Sequence, residues 1–84
     1  MVSENIKITN EYGIHARTAA ILSAECNAYI SKVRIRVDEK TLNPKNVMEL
    51  MLGRISCGKE ITVICDGMDE EQALKGIIEV IYKL

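Results

Sequence analysis

One histidine occurs in this chain, and its neighbours are of the types that handle phosphate. His15 stands in the run Gly13-Ile14-His15-Ala16-Arg17, immediately before residues with helical apolar spacing. A neutral imidazole is a nitrogen nucleophile, and a large share of any ordinary imidazole is neutral at physiological pH. A helix starting beside it offers unpaired backbone N–H groups and the positive end of a dipole, a setting in which phosphate binds. Arg17 adds a guanidinium able to fork onto phosphate oxygens. Nucleophile, fixed cation and helix start together imply a histidine that accepts, holds and gives up a phosphoryl group.

Positioning these groups requires a fold, and the pattern supplies one. Ile6 and Ile8 alternate with Lys7 within Val2–Thr9, a short strand. Asn10 to Gly13 form a loop, with Gly13 free to take a backbone conformation that other residues resist. From Ala16 to about Ala28, residues 19, 22, 26 and 29 follow helical spacing, and Ile21 and Ala28 are expected to widen that stripe. Val33 to Val37 is the cleanest period-two strand; Asp38-Glu39 turns it into a second short strand around Lys40-Thr41-Leu42.

Pro44 interrupts regular structure, and Asn46 with Glu49 three positions on resembles a capping box for a short helix over Val47–Leu52 that stops at Gly53. Glu60 to Cys65 reads as a strand. Asp69 is placed to cap a last helix with Glu70 and Glu71 in its first turn, apolar residues at 73, 74, 77, 78, 80, 81 and 84, and Lys83 at its C-terminal end. The order is β-α-β-β-α-β-α without repeats or linker. It predicts one sheet with helices on one face, leaving Lys32, Arg34 and Arg36 on the open one.

Composition narrows the function classes. Eighty-four residues suit one small domain, and 48% apolar residues supply its core without metal or disulfide staples. Eleven basic against twelve acidic residues, with no basic stripe interleaved with aromatics, argue against a nucleic-acid partner. Cys26, Cys57 and Cys65 lack ligand spacing; Cys26 and Cys65 read as small buried hydrophobes and Cys57 as a partly exposed thiol, so neither metal nor cofactor is expected. No leader segment and no apolar run of ~20 residues is visible, so a cytoplasmic location is expected.

At this point the chain resembles the HPr family, the histidine-containing phosphocarriers of the bacterial sugar phosphotransferase system. Gly13-Ile14-His15-Ala16-Arg17-Thr18-Ala19 matches the family signature G-[IL]-H-A-R-P-A at six of seven positions. Collinear matches follow from Leu42-Asn43 through Lys45 to Val47-Met48, Leu50 and Met51. Others run from Gly58 to Val63 and from Asp69 to Leu74, so the likeness spans residues 1–84 as one domain.

The resemblance implies an α+β open-faced sandwich with a four-stranded antiparallel sheet and three helices. It implies that His15, through Nδ1, takes a phosphoryl group from phosphorylated enzyme I and passes it to sugar-specific IIA domains, as a monomeric stoichiometric carrier without turnover of its own. Arg17 and the N–H groups of Ala16 and Arg17 would balance the charge, with Thr18 as a further phosphate contact. Partner docking maps onto Ala20, Val47, Met48 and Met51, with Arg54 at the rim.

Two residues depart from the family pattern. Thr18 replaces its proline, and Asn46 stands where many Gram-positive relatives carry a kinase-target serine, so serine-linked regulation is expected to be absent. Glu49 adds negative charge where the family often has a small residue. The same departures motivate an alternative, an HPr-like regulatory interaction module not dedicated to sugar transport.

Overall fold

Alternation along each strand decides which side is buried, and register then brings the buried sides together. The computed structural model describes residues 1–84. Its elements are β1 (Val2–Lys7), α1 (Ala16–Asn27), β2 (Lys32–Val37), β3 (Lys40–Leu42), α2 (Val47–Leu52), β4 (Glu60–Asp66) and α3 (Glu70–Lys83). The strands form one antiparallel sheet in the order β1-β4-β2-β3. Val33 faces Cys65, Ile35 lies between Val63 and Leu42, and Ile6 faces Ile61. All of these side chains are buried, so a one-residue slip would turn the whole set to solvent.

The order β-α-β-β-α-β-α is as the sequence pattern predicts, and the four-stranded antiparallel sheet is as the resemblance implies. α1 packs against both other helices, and α3 lies over β4 and β1. Leu22, Leu50 and Ile77 are wholly buried between sheet and helices, each worth about 1.5–3 kcal/mol relative to an exposed position. Lys32 and Arg36 are exposed and Arg34 is half-buried on the strand positions that face away from the core. No helix is long and apolar enough to cross a membrane.

Three local expectations are corrected. Ile21 is 45% exposed and Ala28 is exposed beyond the helix end. At ~100° per residue the buried arc of α1 runs through Thr18, Ala19, Leu22, Ser23 and Cys26, and both residues fall on its flank.

The second correction concerns α2. Asn46 Oδ1 accepts the Glu49 N–H at 3.0 Å as expected, but the Glu49 carboxylate accepts from the Asn43 N–H at 2.6 Å, because the Asn46 N–H is taken by the Asn43 carbonyl. The box closes on only one side.

The third concerns Asp69. It precedes α3, yet its side chain makes no cap bond; its backbone (φ −106°, ψ 27°) is not the extended form that aims a carboxylate at the first turn. Gly67 packs directly on Ser31, which brings the α1–β2 loop within reach. The carboxylate therefore accepts the Ile30 N–H (3.0 Å), the Ser31 N–H (2.9 Å) and the Ser31 hydroxyl. Lys45 Nζ holds the same loop from its other polarity, donating to the Tyr29 and Ser31 carbonyls at 2.8 Å each.

Candidate functional site

The site is built where a loop is forced to stop and a helix to start. Gly13 sits at φ +63°, and a Cβ there would collide with the Ile55 carbonyl and with Ser56 Cα at 2.7 Å. Only glycine lets the two loops touch. Ile14 then anchors them, burying its side chain and donating its N–H to the Ile55 carbonyl at 2.8 Å. Beyond the end of β1, Ile8 and the 58–59 segment exchange bonds (Ile8 N–H to Lys59 O at 2.9 Å, Gly58 N–H to Ile8 O at 2.7 Å). The loop carrying the histidine thus starts from a fixed base.

His15 is the N-cap of α1, extended (φ −119°, ψ −169°) and half-buried. Its backbone N–H donates to Thr18 Oγ1 at 2.9 Å. In return the imidazole stands against the Thr18 N–H, the other side of a capping box, without completing a hydrogen bond. The Ala19 N–H bonds back to the His15 carbonyl at 2.7 Å, the first intrahelical link. The N–H groups of Ala16 and Arg17 come before it and donate to no protein group, as expected of a first turn, while that of Thr18 faces the imidazole. The first turn contains no acidic side chain to quench their field.

Ala16 and Arg17 are exposed, and the Arg17 guanidinium engages no carboxylate. Thr18 is buried at 2% exposure. Its hydroxyl accepts from His15 and directs its one proton toward the Gly13 carbonyl (3.1 Å) or the His15 carbonyl (3.3 Å), so the oxygen faces the backbone behind the histidine.

The residues mapped as a docking surface divide between surface and core. Ala20 and Arg54 are exposed, and Met48 and Met51 are 72% and 37% exposed. Val47 is half-buried and packs against the core. Arg54 lies at φ +48°, the left-handed region, where it ends the α2 turn with its N–H on the Met51 carbonyl at 3.2 Å.

Other groups near the site escaped sequence reasoning. Asn10 Nδ2 donates to the Gly13 carbonyl at 2.6 Å, while its Oδ1 is buried without a partner. An Asn three residues before a Gly is the one signal that points to this loop brace. Lys83 shares a cleft with Arg17, a proximity that only the packing of α3 on α1 creates. The buried thiols are inert: burial above all pushes Cys26 up to about 12 and raises Cys65 as well.

Comparison with known proteins gives a match over nearly the whole chain. Residues 2–83 match the family model described as the PTS HPr component phosphorylation site. The HPr-like protein Crh of Halalkalibacterium halodurans is 36% identical over 83 residues, covering 99% of each chain. The phosphocarrier protein HPr of Mycoplasma capricolum is 40% identical over 70 residues, 83% of this chain and 79% of its own. The solved structure of a Mycoplasma histidine-containing phosphocarrier superposes with a TM-score of 0.93 at 34% identity, covering 98% of this chain and 93% of that one.

Proposed function

This chain belongs to the HPr family, and on that premise we propose that it is a phosphocarrier, taking a phosphoryl group on His15 from phosphorylated enzyme I and delivering it to sugar-specific IIA domains in the bacterial cytoplasm. The observation that carries the reading is the seat of His15. A nucleophilic ring caps a helix whose first two N–H groups, those of Ala16 and Arg17, have no protein acceptor, with an unpaired guanidinium two residues on.

In transfer, the lone pair of a ring nitrogen, Nδ1 by family analogy, attacks phosphorus in line with the donor's departing nitrogen. One N–P bond forms as the other breaks, so the phosphoryl group changes owner without water. The dianionic group then rests by the N–H groups of Ala16, Arg17 and Thr18 and the Arg17 side chain, whose charge is in place before the group arrives. The chain contributes position and charge; it is a stoichiometric relay, not an enzyme with turnover. Partners cover the histidine through Ala20, Met48 and Met51, with Val47 beneath and Arg54 at the rim. Methionines suit a surface that must fit partners of different shape. The chain acts as one domain and as a monomer.

A second reading has its own support. Over nearly its whole length the chain is similar to Crh, an HPr-like protein, and Thr18 and Asn46 depart from the phosphocarrier pattern. On that reading it binds and regulates a partner without serving sugar uptake. Incubation with the cognate enzyme I and phosphoenolpyruvate, followed by intact-mass measurement, separates the two. The carrier gains one acid-labile phosphate that His15→Ala abolishes; absence of any gain leaves the regulatory module.

A further inference from the structure

Two cations without acidic partners face one cleft beside the histidine. Between the first turn of α1 and the last turn of α3 lies a cavity of about 280 Å³, lined by Arg17, Thr18, Ile21, Val80, Lys83 and Leu84. Neither Arg17 nor Lys83 engages a carboxylate anywhere in the molecule, and no acidic side chain lines the cavity. The positive end of α1 adds to the same field, and the negative end of α3, at Lys83 and Leu84, offsets part of it. Lys83 at a helix C-terminus is also what the α3 dipole favours, and that alone would leave it a solvated end charge. The rest of the lining argues for more. Ile21 is 45% exposed on the flank of α1, and Val80 is half-buried on α3. Cations on one part of the wall and apolar carbon on the other fit an anionic head with a short carbon body.

From this we infer that the cleft is a second anion subsite, which takes the acidic side chain of the partner protein that reaches His15, a carboxylate lying between Arg17 and Lys83 with its methylenes on Ile21 and Val80. The inference rests on the phosphocarrier reading and extends it by naming Lys83 as a residue that sets partner preference. A protein carboxylate suits the cleft better than inorganic phosphate, which would leave the apolar wall without contact. Because Arg17 belongs to both sites, a partner filling the cleft also fixes the guanidinium next to the phosphoryl group.

Two measurements test it. In transfer from phosphorylated enzyme I, Lys83→Glu should raise KM by about fivefold or more with kcat little changed, Lys83→Gln by less, and Lys83→Arg should restore the wild-type value. A merely structural end charge would change the melting temperature and leave KM alone, and an unchanged KM in Lys83→Glu overturns the inference. In the second, ¹⁵N spectra of the unphosphorylated protein are followed as glutarate or inorganic phosphate is added. Saturable shifts at Thr18, Ile21, Val80 and Lys83 with glutarate, lost in Lys83→Gln, support a carboxylate subsite. Shifts with phosphate alone, or with neither probe, overturn it. The probe titration stands even if enzyme I fails to phosphorylate the wild type, which would sink the carrier reading instead.

Discussion

The Thr18 hydroxyl oxygen accepts the His15 backbone N–H across 2.9 Å and returns its own proton to the carbonyl of Gly13 or His15. One side chain thereby ties the residue before the histidine loop, the histidine itself and the third residue of α1 into a single ring of contacts. Proline at this position would fix the helical backbone but could not make that tie. Threonine holds the same place by hydrogen bonding.

Removing the hydroxyl should therefore cost stability before it costs chemistry. Thr18→Val leaves the His15 N–H unpaired beside a buried side chain and should lower unfolding free energy by about 1–2 kcal/mol, while Thr18→Ser stays near wild type. Urea melts give the first number. Phosphotransfer rates give the second: Thr18→Ser should transfer as wild type does, and Thr18→Val should slow only modestly, since the hydroxyl faces the backbone. A Val variant as stable as wild type would contradict this account.

Gly13 and Gly58 make a matched comparison. Both have positive φ, +63° and +91°, but a Cβ on Gly13 meets the 55–56 backbone whereas one on Gly58 meets nothing within 4 Å. Gly13→Ala should cost about 3 kcal/mol or more, since strain and a backbone clash add; Gly58→Ala should cost about 1 kcal/mol from strain alone. Denaturant midpoints rank them. Equal losses would mean that the contact between the loops does not brace the histidine.

Most of the fold could be read from the chain because short-range rules set it: strand alternation in 33–37 and 60–65, the Asn46 cap, the stop at Gly53. The geometry of the candidate site was legible for the same reason, since His15, Arg17 and the helix start are neighbours in sequence. What could not be read were choices made over distance. Asp69 has the look of an N-cap, but a loop 38 residues away offers three donors, and its carboxylate goes there. Ile21 fits an apolar stripe by spacing alone; where α2 and α3 lie decides that its flank stays open. Lys83 and Arg17 share a cleft only once α3 has packed.

The Asp69 clamp carries a pH dependence. Hydrogen bonds from the Ser31 side chain and from the Ile30 and Ser31 N–H groups hold its pKa below the usual carboxylate value. A group depressed in the folded state stabilises fully above its unfolded pKa, and that contribution fades as pH falls through the folded pKa. Wild type should thus exceed Asp69→Asn in melting temperature at neutral pH, with the gap closing only in acid below the ordinary carboxylate range. A gap that stays constant across acid pH would show that the clamp does not depend on charge.

Asn46 should behave as a cap that no kinase can use. Serine accepts the Glu49 N–H as asparagine does, so Asn46→Ser should stay within about 0.5 kcal/mol of wild type, whereas Asn46→Ala should lose about 1 kcal/mol. Incubated with the HPr serine kinase and ATP, wild type should remain unmodified and Asn46→Ser should gain one phosphate by mass. Modification of the wild type would overturn this reading.

Val47 and Met48 are adjacent on α2 but face opposite ways, one to the core and one to solvent, and charge and truncation should separate them. Met48 is 72% exposed, so Met48→Glu removes almost no buried contact and should leave the melting curve within about 0.5 kcal/mol of wild type. The same change puts a second carboxylate near Glu49 on a surface proposed to meet partners, and transfer from enzyme I should slow through a higher KM. Val47 packs on the core, and Val47→Ala should do the reverse, costing about 1–2 kcal/mol while leaving KM nearly unchanged. If Met48→Glu transferred as fast as wild type, the exposed methionines would be ordinary surface and the docking face would have to lie elsewhere around His15.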